Sequence, residues 1–172
     1  MITLKLTKVK RPKAPRSPLQ TAPFRIDRGI VIDINCRSRK PLPSPQTFRR
    51  LAVFVLKSER VSNARISIQL VDDGLMKKYN ADFKKKRGTT DVLSFDFLGP
   101  GARRNFVFAD VAVSAETAYR RAAELDLSPF EEMFRYAIHG LLHLLDYDDL
   151  RPAQRRLMWG RQETLLRKFL AV

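Results

Sequence analysis

A chain of 172 residues, 44% of them hydrophobic, is long enough for one domain with its own core and too apolar for a disordered segment. One cysteine excludes an internal disulfide framework, and no apolar run approaches the ~20 residues that a membrane helix needs. The net charge of +15 attracts polyanions, nucleic acid first among them.

That charge is unevenly spread. Residues 1–28 carry eight Lys and Arg against Asp27 alone, a net +7, while residues 29–172 carry 25 against 17, a net +8. Pro12, Pro15, Pro18 and Pro23 lie among the first set and block helices and sheet ladders. Residues 1–28 therefore read as a basic, proline-rich arm, mobile over about 8–25, which lies on RNA or is simply solvated. The arm lacks the apolar stretch of a secretory signal, and it is poorer in serine than an organelle transit peptide. The lone Cys36 suits a reducing compartment, which points to the cytoplasm, and is expected half-buried in a strand.

The folded region is expected over 29–172. Residues 30–36, Ile-Val-Ile-Asp-Ile-Asn-Cys, are β-branched and partly alternating, as in a strand. Phe48, Leu51, Ala52, Val55 and Leu56 recur at helical spacing across 44–58, with Ser44 or Pro45 at the start. Residues 64–71 alternate with period two, which predicts a half-buried strand, and 73–84 form a short helix. A basic turn, Lys84-Lys85-Lys86-Arg87-Gly88, leads into a strand ending near Phe95. After a loop with Pro100 and Gly101, Phe106 to Val113 forms another strand, and 115–125 is helical. Ser128-Pro129-Phe130-Glu131 is a capping box with proline at the first helical position, opening a helix that runs to about Leu145. A last helix covers about 152–170. Interleaved strands and helices of this kind predict a single α+β domain: a small mixed sheet packed with about five helices.

The chain has two histidines, His139 and His143, both on the helix that Ser128 opens. Four residues apart, they share one face, one turn from each other. They lie off the apolar stripe of Phe130, Met133, Phe134, Ala137, Leu141 and Leu144 or Leu145, in line with Glu132. Such a pair occupies two positions of a tetrahedral zinc site, as on the metal helix of a zincin, and a third ligand must come from beyond the helix end. Asp149 stands six residues after His143. Two imidazoles and a carboxylate suit one Zn(2+) per chain, with a coordination position left for water. Gly140 follows His139, where the His-Glu-x-x-His metalloproteases carry their general base, and this argues against peptide hydrolysis.

The run His139-Gly140-x-x-His143-Leu144-x-x-Tyr147-Asp148 resembles the signature of the YbeY family of zinc-dependent endoribonucleases, His-Gly-x-Leu-His-Leu-x-Gly-Tyr-Asp-His. Thr90-Asp91-Val92-Leu93-Ser94-Phe95 resembles a second block of that family. Asp110-Val111 matches a third element, with Ala109 in place of glycine. Met158 and Glu163 fall in the family's C-terminal helix. The resemblance spans about 29–170 and implies a mixed-sheet domain with zinc at the bottom of a basic cleft. It also implies an endonuclease in small-subunit ribosomal RNA maturation and ribosome quality control. The implied partners are ribosomal RNA, the small ribosomal subunit, and a ribosomal protein or GTPase.

Two departures stand in the signature. The third zinc ligand of the family is histidine, here Asp149, with Asp148 as a neighbouring alternative. The glycine before Tyr-Asp is Asp146, which tolerates a left-handed turn at modest cost. Lys84 takes the place of an arginine that the family places against RNA phosphate, which keeps the charge but loses the planar fork. The resemblance thus gives Lys84 a catalytic, charge-offsetting role and makes Lys84, Lys85, Lys86 and Arg87 a phosphate-holding loop; taken alone, the same run is a solvated basic turn. Asp91 and Ser94 either orient the site or serve as turn cap and strand packing. Asp110 is an inward carboxylate that needs a partner, and a ring nitrogen of a metal-bound histidine is one option. Two rival readings are an RNA- or ribosome-binding assembly factor with a structural or weakened metal site, and a peptide metallohydrolase.

Overall fold

Strand alternation decides which side chains meet which helices. The computed structural model describes residues 29–85, 87–98 and 106–171. The proposed arm over 1–28, Lys86 and the Pro100–Gly101 loop lie outside the described residues.

Four strands, β1 (Ile30–Arg37), β2 (Ala64–Val71), β3 (Val92–Asp96) and β4 (Val107–Ser114), form one sheet in the order β1-β2-β4-β3. β1, β2 and β4 are parallel, and β3 runs antiparallel to β4 at the edge. Among the described residues five helices pack with it: α1 (Pro45–Ser58), α2 (Asp73–Lys84), α3 (Ala115–Leu125), α4 (Pro129–Leu144) and α5 (Pro152–Leu170). The expected α+β domain with a mixed sheet is what forms.

One sheet face carries Ile32, Ile66, Ile68, Leu70, Val92, Ala109, Val111 and Val113 into the main core. α1 lays Phe48, Leu51, Ala52, Val55 and Leu56 on that core, every one of them fully buried. Burial of this kind stabilises by about 1.5–3 kcal/mol for each large aliphatic or aromatic side chain. The Ser44 hydroxyl caps α1 by accepting from the Thr47 amide, and Pro45 occupies the first helical position.

The opposite sheet face is covered too, by a smaller cluster of Val71, Met76, Leu93 and Ala112 under α2. β2 is therefore buried on both faces, not half-buried as its alternation predicts. Its polar residues have partners there: Gln69 accepts from the Tyr79 hydroxyl at 3.1 Å, and Ser67 accepts from Asn35 at 3.4 Å. Cys36 differs in the other direction. It lies near the end of edge strand β1 and is exposed.

α4 is the central helix, in contact with β3, β4, α1, α3 and α5. From Met133 onward every residue except Arg135 is buried, the two histidines included. The apolar stripe read from the sequence thus understates the helix, because α5 covers its histidine side. Phe130 leaves the stripe: in the first turn, outside the layer, it is 37% exposed. Ser128 and Pro129 start the helix as expected, but the capping-box bond is not made. The Glu131 carboxylate pairs with Arg135 at 2.9 Å instead.

α4 approaches the sheet most closely at Gly140. A Cβ there would lie 2.8 Å from both Ser94 Oγ and Val92 Cγ2, and 3.0 Å from Val111 Cγ1. The Ser94 hydroxyl donates to the Gly140 carbonyl at 2.9 Å and ties β3 to the same point. Gly140→Ala is expected to destabilise the protein by about 1–3 kcal/mol through overpacking, despite alanine's better helix propensity. Gly160→Ala in α5, whose Cβ meets nothing within 4 Å, is the control. It should stabilise by up to ~1 kcal/mol, and urea denaturation reads both.

Candidate metal centre

His139 and His143 project from the last two turns of α4 onto its α5 side, and both are less than 10% exposed. Each ring has its Nδ1 engaged. His139 Nδ1 donates to Gln162 Oε1 of α5 at 2.8 Å, and His143 Nδ1 donates to the Tyr147 carbonyl at 3.1 Å. The Gln162 amide is oriented because its NH2 donates to Glu163 Oε1 at 2.9 Å, which leaves the oxygen for the histidine. Glu163 is in turn held by Arg135, 2.9 Å away. Arg135 also pairs with Glu131 and Glu132, so a chain of charge-assisted bonds backs His139.

With both Nδ1 atoms donating to acceptors, both rings turn Nε2 to the same space. These two atoms are 3.0 Å apart. Two Zn–N bonds of ~2.0–2.1 Å at a tetrahedral angle would place them roughly 3.3 Å apart. A cation between them would be met by both nitrogens at once. Burial, then the charge of His139, lowers the His143 pKa from 6.5 to about 4, against the opposing pull of Asp149. His143 is therefore neutral at pH 7, the form that ligates metal.

The turn after α4 supplies the third group. Asp146 is left-handed with φ 69°, the position where the family signature has glycine. The Tyr147 amide bonds back to the Leu142 carbonyl at 3.1 Å and the Asp146 amide to the His143 carbonyl at 3.3 Å, a Schellman closure. This reversal places the Tyr147 carbonyl on His143 and returns Asp149 to the histidines. Tyr147 is anchored at its other end, where its hydroxyl donates to Glu59 at 3.0 Å, and Arg161 of α5 meets the same carboxylate at 2.6 Å.

Asp149 Oδ2 lies 4.0 Å from His139 Nε2, and one ligand atom from each of His139, His143 and Asp149 falls within 4.8 Å of the others. Asp149 Oδ1 is buried and has no hydrogen-bond partner among the described residues. A carboxylate oxygen so placed costs free energy unless a cation or donor meets it. Its backbone is pinned, with Arg155 donating to the Asp149 carbonyl at 2.9 Å. Asp148 has another task, since its Oδ1 accepts from the Leu150 amide at 3.1 Å. The donor set therefore fits a metal ion, and Asp149 is the third ligand candidate.

The other residues singled out in the sequence sort by sheet face. Val92 and Ser94 face α4, and Ser94 reaches Gly140. Asp91 is a turn cap: its Oδ1 accepts from Thr90 Oγ1 and from its own neighbour's amide at Val92, both at 2.9 Å. Asp110 does not meet a histidine. It alternates with Val111, which packs on α4, so its carboxylate lies on the α2 face. There burial, with Asp110 adding, raises the pKa of the Tyr79 hydroxyl. The ring nitrogens it was expected to hold go to Gln162 and the Tyr147 carbonyl. Lys84, the last residue of α2, is half-buried and near enough to His143 for its charge to help lower that pKa. Lys85 and Arg87 are exposed on the turn, and Lys86 lies outside the described residues.

Sequence reasoning missed Gln162. A signal existed: it is a polar residue in the stripe that Met158, Leu165 and Leu166 bury.

The family model for endoribonuclease YbeY matches residues 34–170. The chain belongs to the endoribonuclease YbeY family. It is 36% identical over 134 residues to the endoribonuclease YbeY of Bifidobacterium longum subsp. infantis, covering 74% of each chain. It is 33% identical over 144 residues to that of Clavibacter sepedonicus, covering 80% of this chain and 94% of the relative. The solution structure of TM1509 from Thermotoga maritima shares the fold, with a TM-score of 0.57, 19% identity, and coverage of 82% of this chain and 90% of that one.

In this YbeY-family chain Gln162 sets the tautomer and angle of His139, a candidate ligand. Gln162→Leu is expected to weaken Zn(2+) affinity about 10–100-fold, as loss of a ligand's hydrogen-bond partner does elsewhere. Gln162→Glu keeps an acceptor and should retain most of the affinity. Competition with a chromogenic chelator measures both.

Proposed function

We propose that this chain is a zinc-dependent endoribonuclease acting in small-subunit ribosomal RNA maturation and ribosome quality control, with one Zn(2+) held by His139, His143 and Asp149. The observation that carries the reading is the convergence of ligand atoms from three buried residues, His139, His143 and Asp149, whose second carboxylate oxygen, Oδ1, has no partner among the described residues, in a member of an endoribonuclease family. Two nitrogens and an oxygen on a three-residue site favour zinc over calcium or magnesium, which prefer all-oxygen shells. Bound there, zinc would supply Lewis acidity and acidify a coordinated water.

The rest of the task falls to the chain itself. Gln162 and the Tyr147 carbonyl hold both rings with Nε2 inward. Lys84 brings positive charge to the His143 side, where it offsets the charge of a phosphodiester as bonds change. Lys85, Lys86 and Arg87 extend that charge along the backbone of the RNA, and the arm over 1–28 adds sequence-independent affinity. Ribosomal RNA and the small subunit are the proposed partners, joined by a ribosomal protein or GTPase, in the cytoplasm. No helix among the described residues is long and apolar enough to cross a membrane. Peptide hydrolysis is disfavoured, because the position of a metalloprotease's glutamate is Gly140, packed against β3 and β4 without room for a Cβ.

Asp149 favours a second reading. A carboxylate ligand gives the metal more negative charge than imidazole does and weakens it as a Lewis acid. The protein would then be an RNA- or ribosome-binding assembly factor whose metal site is structural or slow. Cleavage of a small-subunit ribosomal RNA fragment by purified protein separates the two. Zinc-dependent cutting, at least about 100-fold lower in His139→Ala, supports the enzyme. Equal cutting by both proteins points to a contaminant and overturns it. Asp149→His is expected to bind zinc more tightly and to cleave at least as fast; a fall in both would remove Asp149 from the ligand set.

A further inference from the structure

Trp159 is the only tryptophan of the chain and is 63% exposed in the middle of α5. Its neighbours Met158 and Gln162 are almost fully buried, so the helix itself is firmly docked. No ring or cation contact covers the indole among the described residues. Large aromatics left in water this way mark binding surfaces more often than scattered aliphatic residues do.

Its surroundings are consistent in charge. Residues 150–162 contain Arg151, Arg155, Arg156 and Arg161 and no acid. Arg161 is engaged with Glu59, but Arg151, Arg155 and Arg156 are exposed. Arg155 and Arg156 stand four and three residues before Trp159 and flank it on the helix surface. Basic residues in a first turn oppose the helix dipole, and α5 has neither an acid there nor a side-chain cap bond at Arg151. Gly160, beside the indole, has open space where a Cβ would sit, so it is not there for packing. Each choice weakens an isolated helix, and each suits an anionic, flat-faced ligand lying on it.

The strip also has a fixed relation to the metal centre. Arg155 holds the Asp149 carbonyl and Gln162 holds His139. Trp159 lies between these two residues on α5, within one helical turn or so of each.

We propose that Trp159, with Arg155 and Arg156, is a stacking platform for one unpaired nucleobase of single-stranded RNA whose backbone continues into the metal centre. The ligand's identity rests on the endoribonuclease reading. Indole stacks on any base face, the arginines hold the adjoining phosphates, and a duplex hides the faces that the platform needs. It would seat one base on α5 beside the residues that hold Asp149 and His139.

The full chain, treated with chelator so that nothing is cut, is titrated with an 8-nucleotide single-stranded RNA and with the same sequence as a duplex. Anisotropy of a labelled strand reads binding, and the emission of Trp159 reads stacking. Single-stranded RNA is expected to quench the emission by about half, and the duplex by far less. Trp159→Leu should weaken single-strand binding about tenfold, and Trp159→Phe should recover most of it. Arg156→Gln should reduce the slope of log affinity against log salt by about one. Binding without any change in Trp159 emission, with Trp159→Leu binding as the parent, overturns the platform. Quenching that persists in a protein that never cuts RNA keeps the platform and removes the nuclease. A chain that binds neither RNA loses both.

Discussion

The metal centre depends on how closely α4 can lie on the edge of the sheet. At Gly140 the helix backbone touches Val92, Ser94 and Val111 with no space for a Cβ. That contact sets the depth of the helix, and the depth buries His139 and His143 on its other side beneath α5. Had any side chain stood at Gly140, the helix would be displaced at the point where two imidazoles come together as candidate ligands. The Ser94 bond to the Gly140 carbonyl works in the same direction. It ties the Thr90–Phe95 block to the histidine run through Ser94 and Gly140, 46 residues apart in the chain.

Burial alone would make the histidines a liability. They are useful because each ring is held by a partner on its far nitrogen: Gln162 for one, the Tyr147 carbonyl for the other. These partners keep the protons on Nδ1 and turn both Nε2 atoms inward. Behind Gln162 stand Glu163, Arg135 and the acids of the first α4 turn, so the geometry of one ligand is backed from the opposite end of its own helix. Asp149 completes the triad by the tight turn through Asp146. Its left-handed backbone shows that aspartate meets a conformation for which glycine is the usual choice.

Positive charge stands near this centre on two elements. Lys84 at the end of α2 helps to lower the His143 pKa, and Arg155 of α5 donates to the Asp149 carbonyl. Asp110, by contrast, belongs to a different environment altogether. The parity of β4 sends it to the α2 face with Tyr79, whereas its neighbour Val111 supports α4.

Much of this was legible in the chain. Periodicity, β-branched runs, turn residues and a helix-start signal located the five helices and four strands of the described residues. The spacing of His139 and His143 with Asp149 named a candidate metal-binding set, and residue order within two short blocks pointed to the family. These are local properties, set by helical and strand periods and by the few side chains able to ligate a cation. Other features needed the folded chain. Burial of Ser67 and Gln69 followed from α2 covering a second sheet face, which no single strand's pattern records. The choice between Asp148 and Asp149 came from which carboxylate the turn had already used. Gln162 became a histidine partner, and Asp110 did not, because docking of α5 and the parity of β4 brought one to the rings and took the other away. Sequence determined which groups were available for chemistry; tertiary packing decided which of them share one volume, because contacts between distant segments depend on how elements dock and not on their spacing along the chain.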